Sequence, residues 1–205
     1  MTTVVVTKKN GVACIAADTL ATYGDLREPA ELVENCDKLV SVGGAWVAPT
    51  GPASAQLILR HHLRGLERPP LLEDVDGIFD FLTQLQRSLR DEYFVLGKED
   101  SQDDYESMRM ELIIASPGGI FGAYPQRSVQ EFRDFYAFGS GAEFALGAMS
   151  AACGSTESAE ALARIGVETA ARFDVSTGLP LTLRTVPLSG APSGPHSGPH
   201  SAPRP

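Results

Sequence analysis

Thr2-Thr3-Val4-Val5-Val6-Thr7-Lys8-Lys9-Asn10-Gly11-Val12-Ala13-Cys14-Ile15-Ala16-Ala17-Asp18 reads as a complete β-hairpin. The first arm is rich in β-branched residues, which suit a pleated strand. Asn10-Gly11 is the dipeptide that accepts positive φ at both centres of a tight hairpin turn. With those two as the turn, Lys9 faces Val12 and the register carries Thr3 opposite Asp18. A second hairpin has the same form. Asp37-Lys38-Leu39-Val40-Ser41-Val42 turns at Gly43-Gly44 and returns as Ala45-Trp46-Val47-Ala48. The same arithmetic sets Lys38 opposite Pro49, just before Thr50-Gly51. Each hairpin therefore delivers its open ends to a rim: Thr2 with Asp18, and Lys38 with Gly51.

Those four residue types make sense together. Thr2 is small enough for methionine aminopeptidase to remove Met1, leaving an α-amine and a hydroxyl on one residue. The hydroxyl is a weak nucleophile alone, and the amine beside it can act as its base. An α-amine titrates at about 7.7–8.0, so part of it is neutral near physiological pH. A lysine close by favours the deprotonated hydroxyl and amine, and a carboxylate fixes the lysine. A glycine at a strand-to-helix turn lets a backbone N–H approach a developing oxyanion. Each residue also has a plain structural reading: Asp18 as a strand-end cap, Lys38 as an edge-strand charge, Gly51 as a turn glycine. Their convergence on one rim favours the chemistry.

The 205 residues suit one main domain with a sizeable core. No apolar run is long enough to span a membrane, and no charged-then-apolar leader precedes Thr2. The net charge of −9 argues against nucleic acid as a partner. Cys14, Cys36 and Cys153 show neither metal spacing nor a paired framework, which fits a reduced, cytoplasmic setting. His61 and His62 sit together among leucines, and His196 and His200 lie in a repetitive tail. That dispersion suits neither a Ser-His-Asp site nor a zinc hydrolase. No glycine-rich loop is followed by Lys-Ser/Thr, so nucleotide hydrolysis has no support.

The coarse layout is strands, two helices, strands, two helices and a strand. The helices are expected over 53–67, 73–96, 144–152 and 157–173, where apolar residues recur at helical spacing. Strands are expected over 110–115, 120–124, 135–138 and 179–186. This order suits an α+β fold of two stacked antiparallel sheets with helices outside both, a four-layer αββα sandwich over residues 2–188. The acidic run from Glu99 to Glu106 reads as a solvated loop. Residues 189–205 repeat Ser-Gly-Pro-His and cannot build a core, so a mobile tail is expected.

Thr2-Thr3-Val4-Val5-Val6, Ala16-Ala17-Asp18-Thr19-Leu20-Ala21-Thr22 and Asp37-Lys38-Leu39-Val40 together resemble the proteasome β-subunit family, above all its bacterial HslV-like members. Ala137-Phe138-Gly139-Ser140-Gly141 and Phe173-Asp174-Val175-Ser176-Thr177-Gly178 resemble two further segments of that family, so the likeness runs to about Val186. The stretch between Asp18 and Lys38 is longer than usual for the family and contains Pro29, and Pro49 and Pro52 flank Gly51. The resemblance implies the N-terminal nucleophile hydrolase fold and a threonine-type endopeptidase. Thr2 would be nucleophile and base, Asp18 and Lys38 would tune it, and Gly51 would donate to the oxyanion. Ser140, Asp174 and Thr177 would orient the amino terminus. Backbone groups of Leu20, Ala21 and Thr22 would pair with an extended peptide. No cofactor is required, although carbonyls of Ala171, Asp174 and Thr177 match positions that hold sodium in some relatives. Implied partners are further copies in a homo-oligomeric ring or double ring, unfolded polypeptides, and a separate ATP-dependent unfoldase. A catalytically silent ring subunit and a small-molecule amidase of the same fold are the alternatives.

Overall fold

A computed structural model describes residues 2–95 and 106–190. The Met1 site, most of the acidic run at 99–106 and the tail from residue 191 lie outside the described residues, as does residue 96 of the second expected helix, which in the described part already ends at Asp91.

The first hairpin, β1 (Thr3–Lys9) and β2 (Val12–Asp18), has the expected register, with Lys9 opposite Val12 and Val4 opposite Ala17. The second, β5 (Val40–Val42) and β6 (Ala45–Thr50), sets Val42 opposite Ala45 around Gly43-Gly44. Between them lies a short ribbon, β3 (Ala21–Tyr23) and β4 (Leu26–Glu28). The remaining strands are β7 (Glu111–Ser116), β8 (Gly119–Ala123), β9 (Val129–Phe132), β10 (Phe135–Gly139) and β11 (Leu181–Pro187). One sheet runs β10-β1-β2-β11 and the other β5-β6-β7-β8-β9. All their pairings are antiparallel.

Helices α1 (Ala55–Gly65) and α2 (Val75–Asp91) cover the five-stranded sheet, and α3 (Ala142–Ala152) and α4 (Ala159–Phe173) cover the four-stranded one. Two helix starts are set by side chains that occupy otherwise unpaired N–H groups. Asp74 accepts from Gly77 N at 2.7 Å, and Ser158 from Ala161 N at 3.0 Å.

Period-two alternation sorts residues among three apolar layers. Val4, Val6, Ile15, Ile113 and Ala115 point between the sheets. Val5, Cys14 and Ala16 point to α3 and α4, while Leu112 and Ile114 point to α1 and α2. β1 is thus buried on both faces, with β10 and β2 on its two edges. This is the four-layer αββα arrangement expected from the sequence.

The differences are local. The ribbon and β9 were not anticipated. β5 begins at Val40 rather than Asp37, because other groups take the backbone there. The Asp37 carboxylate accepts from Leu39 N at 3.0 Å. From α1, Gln56 donates to the Asp37 carbonyl, and Arg60 reaches the carbonyls of Asp37 (3.2 Å) and Leu39 (3.4 Å). Pro49 lies in β6 opposite Leu112, beyond the reach of β5, so its missing N–H interrupts no ladder there. Helix α1 starts at Ala55 rather than residue 53, after a turn in which Ala55 N donates to the Pro52 carbonyl at 2.9 Å.

Candidate active site

The rim expected from the two hairpins forms. Thr2 immediately precedes β1, Asp18 ends β2, and Gly51 follows β6. The Asp18 carboxylate is fully buried and has four donors. Thr3 N lies at 2.9 Å and Lys38 Nζ at 2.7 Å from Oδ1. Leu20 N lies at 3.1 Å and Gly178 N at 3.2 Å from Oδ2. This one carboxylate ties the chain start, the ribbon, the second hairpin and the loop after α4 together. Lys38 Nζ also donates to the Leu20 carbonyl at 2.7 Å. Burial pushes the Lys38 ammonium below its ordinary pKa, and the adjacent Asp18 charge pulls it partly back.

A second cluster fixes the other side of the chain start. Ser140 N donates to the Thr2 carbonyl at 3.0 Å. Gly139 makes that approach possible: a Cβ there would fall 1.7 Å from the Thr2 carbonyl oxygen, and its φ is +99°. Ser140 Oγ and Thr177 Oγ1 both donate to Asp174 Oδ2, at 2.6 and 2.5 Å. Burial works against the Asp174 carboxylate, but these bonds and one from Ser176 N hold its pKa below the ordinary value.

Thr3 joins this cluster, and sequence reasoning did not single it out. Its Oγ1 is buried, accepts from Gly141 N at 3.0 Å and meets Thr177 Oγ1 at 2.5 Å. The Thr177 proton is committed to Asp174, so the proton between the two threonines belongs to Thr3. The result is a directed chain from Gly141 N–H through Thr3 and Thr177 to Asp174. The only signal in the sequence is a polar residue at the start of an otherwise apolar strand run, Val4-Val5-Val6.

Thr2 lines two cavities. The smaller, about 300 Å³, also touches Leu20, Ala21, Thr22, Lys38 and Gly51. The larger, about 780 Å³, is walled by Gly51, Arg109, Tyr124, Tyr136, Ser140 and Leu146. Gly51 borders both. Its φ is +127°, and a Cβ there would come within 2.8 Å of the Arg109 carbonyl, so the position needs glycine. Neighbouring Thr50 is anchored by a 2.9 Å bond from its Oγ1 to Glu111 Oε2.

Thr2, Lys38, Gly51, Leu20, Ala21 and Thr22 therefore gather around the smaller cavity, with Asp18 buried behind Lys38 and Ser140, Asp174 and Thr177 joined beside them. Ala171 stays on the last turn of α4, where Asp174 N donates to the Ala170 carbonyl at 2.8 Å. Among the described residues, no group of three or more His, Cys, Asp and Glu is arranged to hold a metal ion. None of the described helices is long and apolar enough to cross a membrane.

Neither protein-family models nor curated proteins give a match, but solved structures do. Thiobacillus denitrificans BPH, a bacterial proteasome homologue, is 43% identical with a TM-score of 0.87, over 92% of this chain and 99% of that one. The structure of Thiobacillus denitrificans BPH in complex with Epoxomicin gives 43% and 0.86, over 91% and 99%. Eukaryotic HslV from Trypanosoma brucei, at 19% identity and a TM-score of 0.60 over 89% and 98%, shares the fold. With the order of strands and helices and the N-terminal nucleophile hydrolase architecture, the identity to the bacterial homologue is decisive: the chain belongs to the proteasome β-subunit family.

Proposed function

We propose that the protein is a threonine-type endopeptidase subunit of a proteasome-like ring, active once Met1 is removed. The observation that carries this reading is the meeting of Thr2, Lys38 and Gly51 on the wall of one cavity, beside the buried Asp18. In the proposed reaction the Thr2 amine takes the hydroxyl proton as Oγ1 attacks the substrate carbonyl carbon. The oxyanion is received by the Gly51 N–H. The C–N bond then breaks, and the departing amine leaves with the proton held by the Thr2 ammonium. Water, deprotonated by the same amine, releases the acyl group from Oγ1. Lys38 favours the negative charge developing on Oγ1, and Asp18 holds Lys38 in place. Ser140, Asp174 and Thr177 keep the chain start from rotating away.

The acyl side of an extended peptide is read as pairing with the backbone of Leu20 to Thr22. A sodium ion is read as an optional resident at the end of α4, where the carbonyls of Ala171, Asp174 and Thr177 are hard oxygen donors. Its part would be to stiffen that turn.

An amine-activated threonine on an open surface would attack any accessible chain, so a closed homo-oligomeric double ring with Thr2 facing an inner chamber completes the reading. Unfolded polypeptides, delivered in the cytoplasm by a separate unfoldase, are the proposed substrates. Intact-mass measurement is the test. Protein starting at Thr2 should gain the mass of epoxomicin, and Thr2→Ala should not. Active protein that quantitatively retains Met1, or undiminished peptide turnover by pure Thr2→Ala, would overturn the mechanism.

A further inference from the structure

The smaller cavity carries a charge that the mechanism above does not use. Its lining holds two charged side chains, Lys38 and Glu28. Lys38 is committed to Asp18 and the Leu20 carbonyl. The Glu28 side chain makes no ion pair or hydrogen bond among the described residues. It stands directly opposite Ala21 in the β3–β4 ribbon, and cross-strand partners project to the same face. The ribbon therefore presents a carboxylate to the cavity on the face that Ala21 shares. The remaining wall near Thr2 is partly apolar, with Val33, Pro49 and Ala53, while Asn35 adds a polar group.

We propose that this cavity receives a lysine or arginine side chain of the substrate, with Glu28 as the residue that selects it. The inference rests on the peptidase reading. An extended chain pairing with Ala21 and Thr22 lies against this cavity and not the larger one, because those two residues line only the smaller. The side chain it accepts is accordingly that of the residue whose carbonyl Thr2 attacks. Long basic side chains lay their methylenes on apolar surface and keep the cation at a polar edge. Val33, Pro49 and Ala53 suit the methylenes, and Glu28 suits the cation. A substrate carboxylate at the same place would meet Glu28 as a like charge. Glu28 is solvent-exposed, so the selection is modest and sensitive to salt.

The experiment uses mature protein and three fluorogenic peptide amides that differ only in the residue before the scissile bond: arginine, leucine or glutamate. Arginine should be preferred over leucine by about fivefold in kcat/KM, the upper end for an exposed ion pair. The preference should shrink as salt is raised from 20 mM to 500 mM, and glutamate should be the poorest substrate. Glu28→Gln should bring the arginine-to-leucine ratio close to one, and Glu28→Lys should raise glutamate above arginine. The Glu28 side chain is exposed and bonds to none of the described residues, so these variants should fold, and an unchanged circular dichroism melt checks that. Leucine faster than arginine in the wild type, or a ratio unmoved by Glu28→Gln, overturns the inference and leaves the peptidase reading standing. Absence of both cleavage and covalent capture of Thr2 by an electrophilic peptide overturns the two together.

Discussion

The two outer layers of the sandwich are packed differently. Under α1 and α2 the interior is large: Leu59, Ile78, Phe81, Leu82, Leu85 and Leu89 meet Leu112, Ile114 and Phe121 of the five-stranded sheet. Under α3 and α4 it is small: Ala145, Ala159, Ala163 and Ala170 meet Val5, Cys14, Ala16 and Ala137. Bulk fills the first layer, whereas close backbone approach holds the second. That approach lets Thr7 Oγ1 reach the Ala159 carbonyl at 2.7 Å, and it brings the C-terminal end of α4, with Asp174, to the chain start. Thr3, Ser140, Asp174 and Thr177 all belong to the small-residue side. The large layer therefore supplies buried bulk and the small one positions the chain start, while Lys38 and Gly51 reach the candidate site from the five-stranded sheet.

Paired substitutions can break that contrast. Leu82→Ala on the large side should cost about 2–5 kcal/mol, as deletion of a fully buried leucine leaves a cavity. Turnover per folded molecule should change little. Ala163→Leu on the small side should cost less, about 1–3 kcal/mol. It should nevertheless lower turnover more than tenfold, because α4 must lift and carry Asp174 with it. Denaturant titration and peptide hydrolysis at equal folded fraction check both. If turnover follows stability alike in the two variants, the division of labour is wrong.

A smaller effect isolates the directed chain through Thr3. Thr3→Val keeps the shape but leaves the Gly141 N–H without its acceptor and Thr177 without its donor, at about 1–3 kcal/mol. Thr3→Ser should restore most of the loss. The valine variant should also lower kcat while leaving KM near its original value, because the chain start is disordered and the substrate cavity is not.

The smallest effect is a pH dependence. The Asp174 carboxylate is held below its ordinary 3.8, so the native state favours its ionised form. Its contribution is fully present above that ordinary value and disappears as pH falls through the lower folded one. The stability gap between wild type and Asp174→Asn should be constant from pH 5 to 7 and close below about pH 3.8. A gap that widens on acidification would reverse the assignment.

How much of this could be read from the chain depends on what fixes each feature. The two glycine turns set register over short distances and so brought Thr2 beside Asp18, while Lys38, which lies ahead of β5, is drawn to the same rim by Asp18 across the two sheets. Both faces of β1 and β2 are buried, so their apolar runs were plain. The β3–β4 ribbon left no such trace: Tyr23 is 83% exposed and Leu26 63%, so neither face alternates. β9 is similarly half-exposed, with Gln130 and Glu131 in its centre. Thr3 was missed for another reason. Its hydroxyl partner Thr177 is 174 residues away, and only the closed sandwich brings the two together. Asp37 shows local competition, where a carboxylate and two α1 side chains take backbone groups that a strand would otherwise have used.

Chain ends are ordinarily the first part of a protein to fray. Here the residues next to the amino terminus form a strand held on both edges and covered on both faces, with Val4, Val5 and Val6 wholly enclosed. Their amide protons should be among the slowest in the molecule to exchange with deuterated solvent, opening only with global unfolding. The same enclosure dictates how the protein can be handled. Because Thr2 lines both cavities, any affinity tag fused ahead of it would crowd the space a substrate needs.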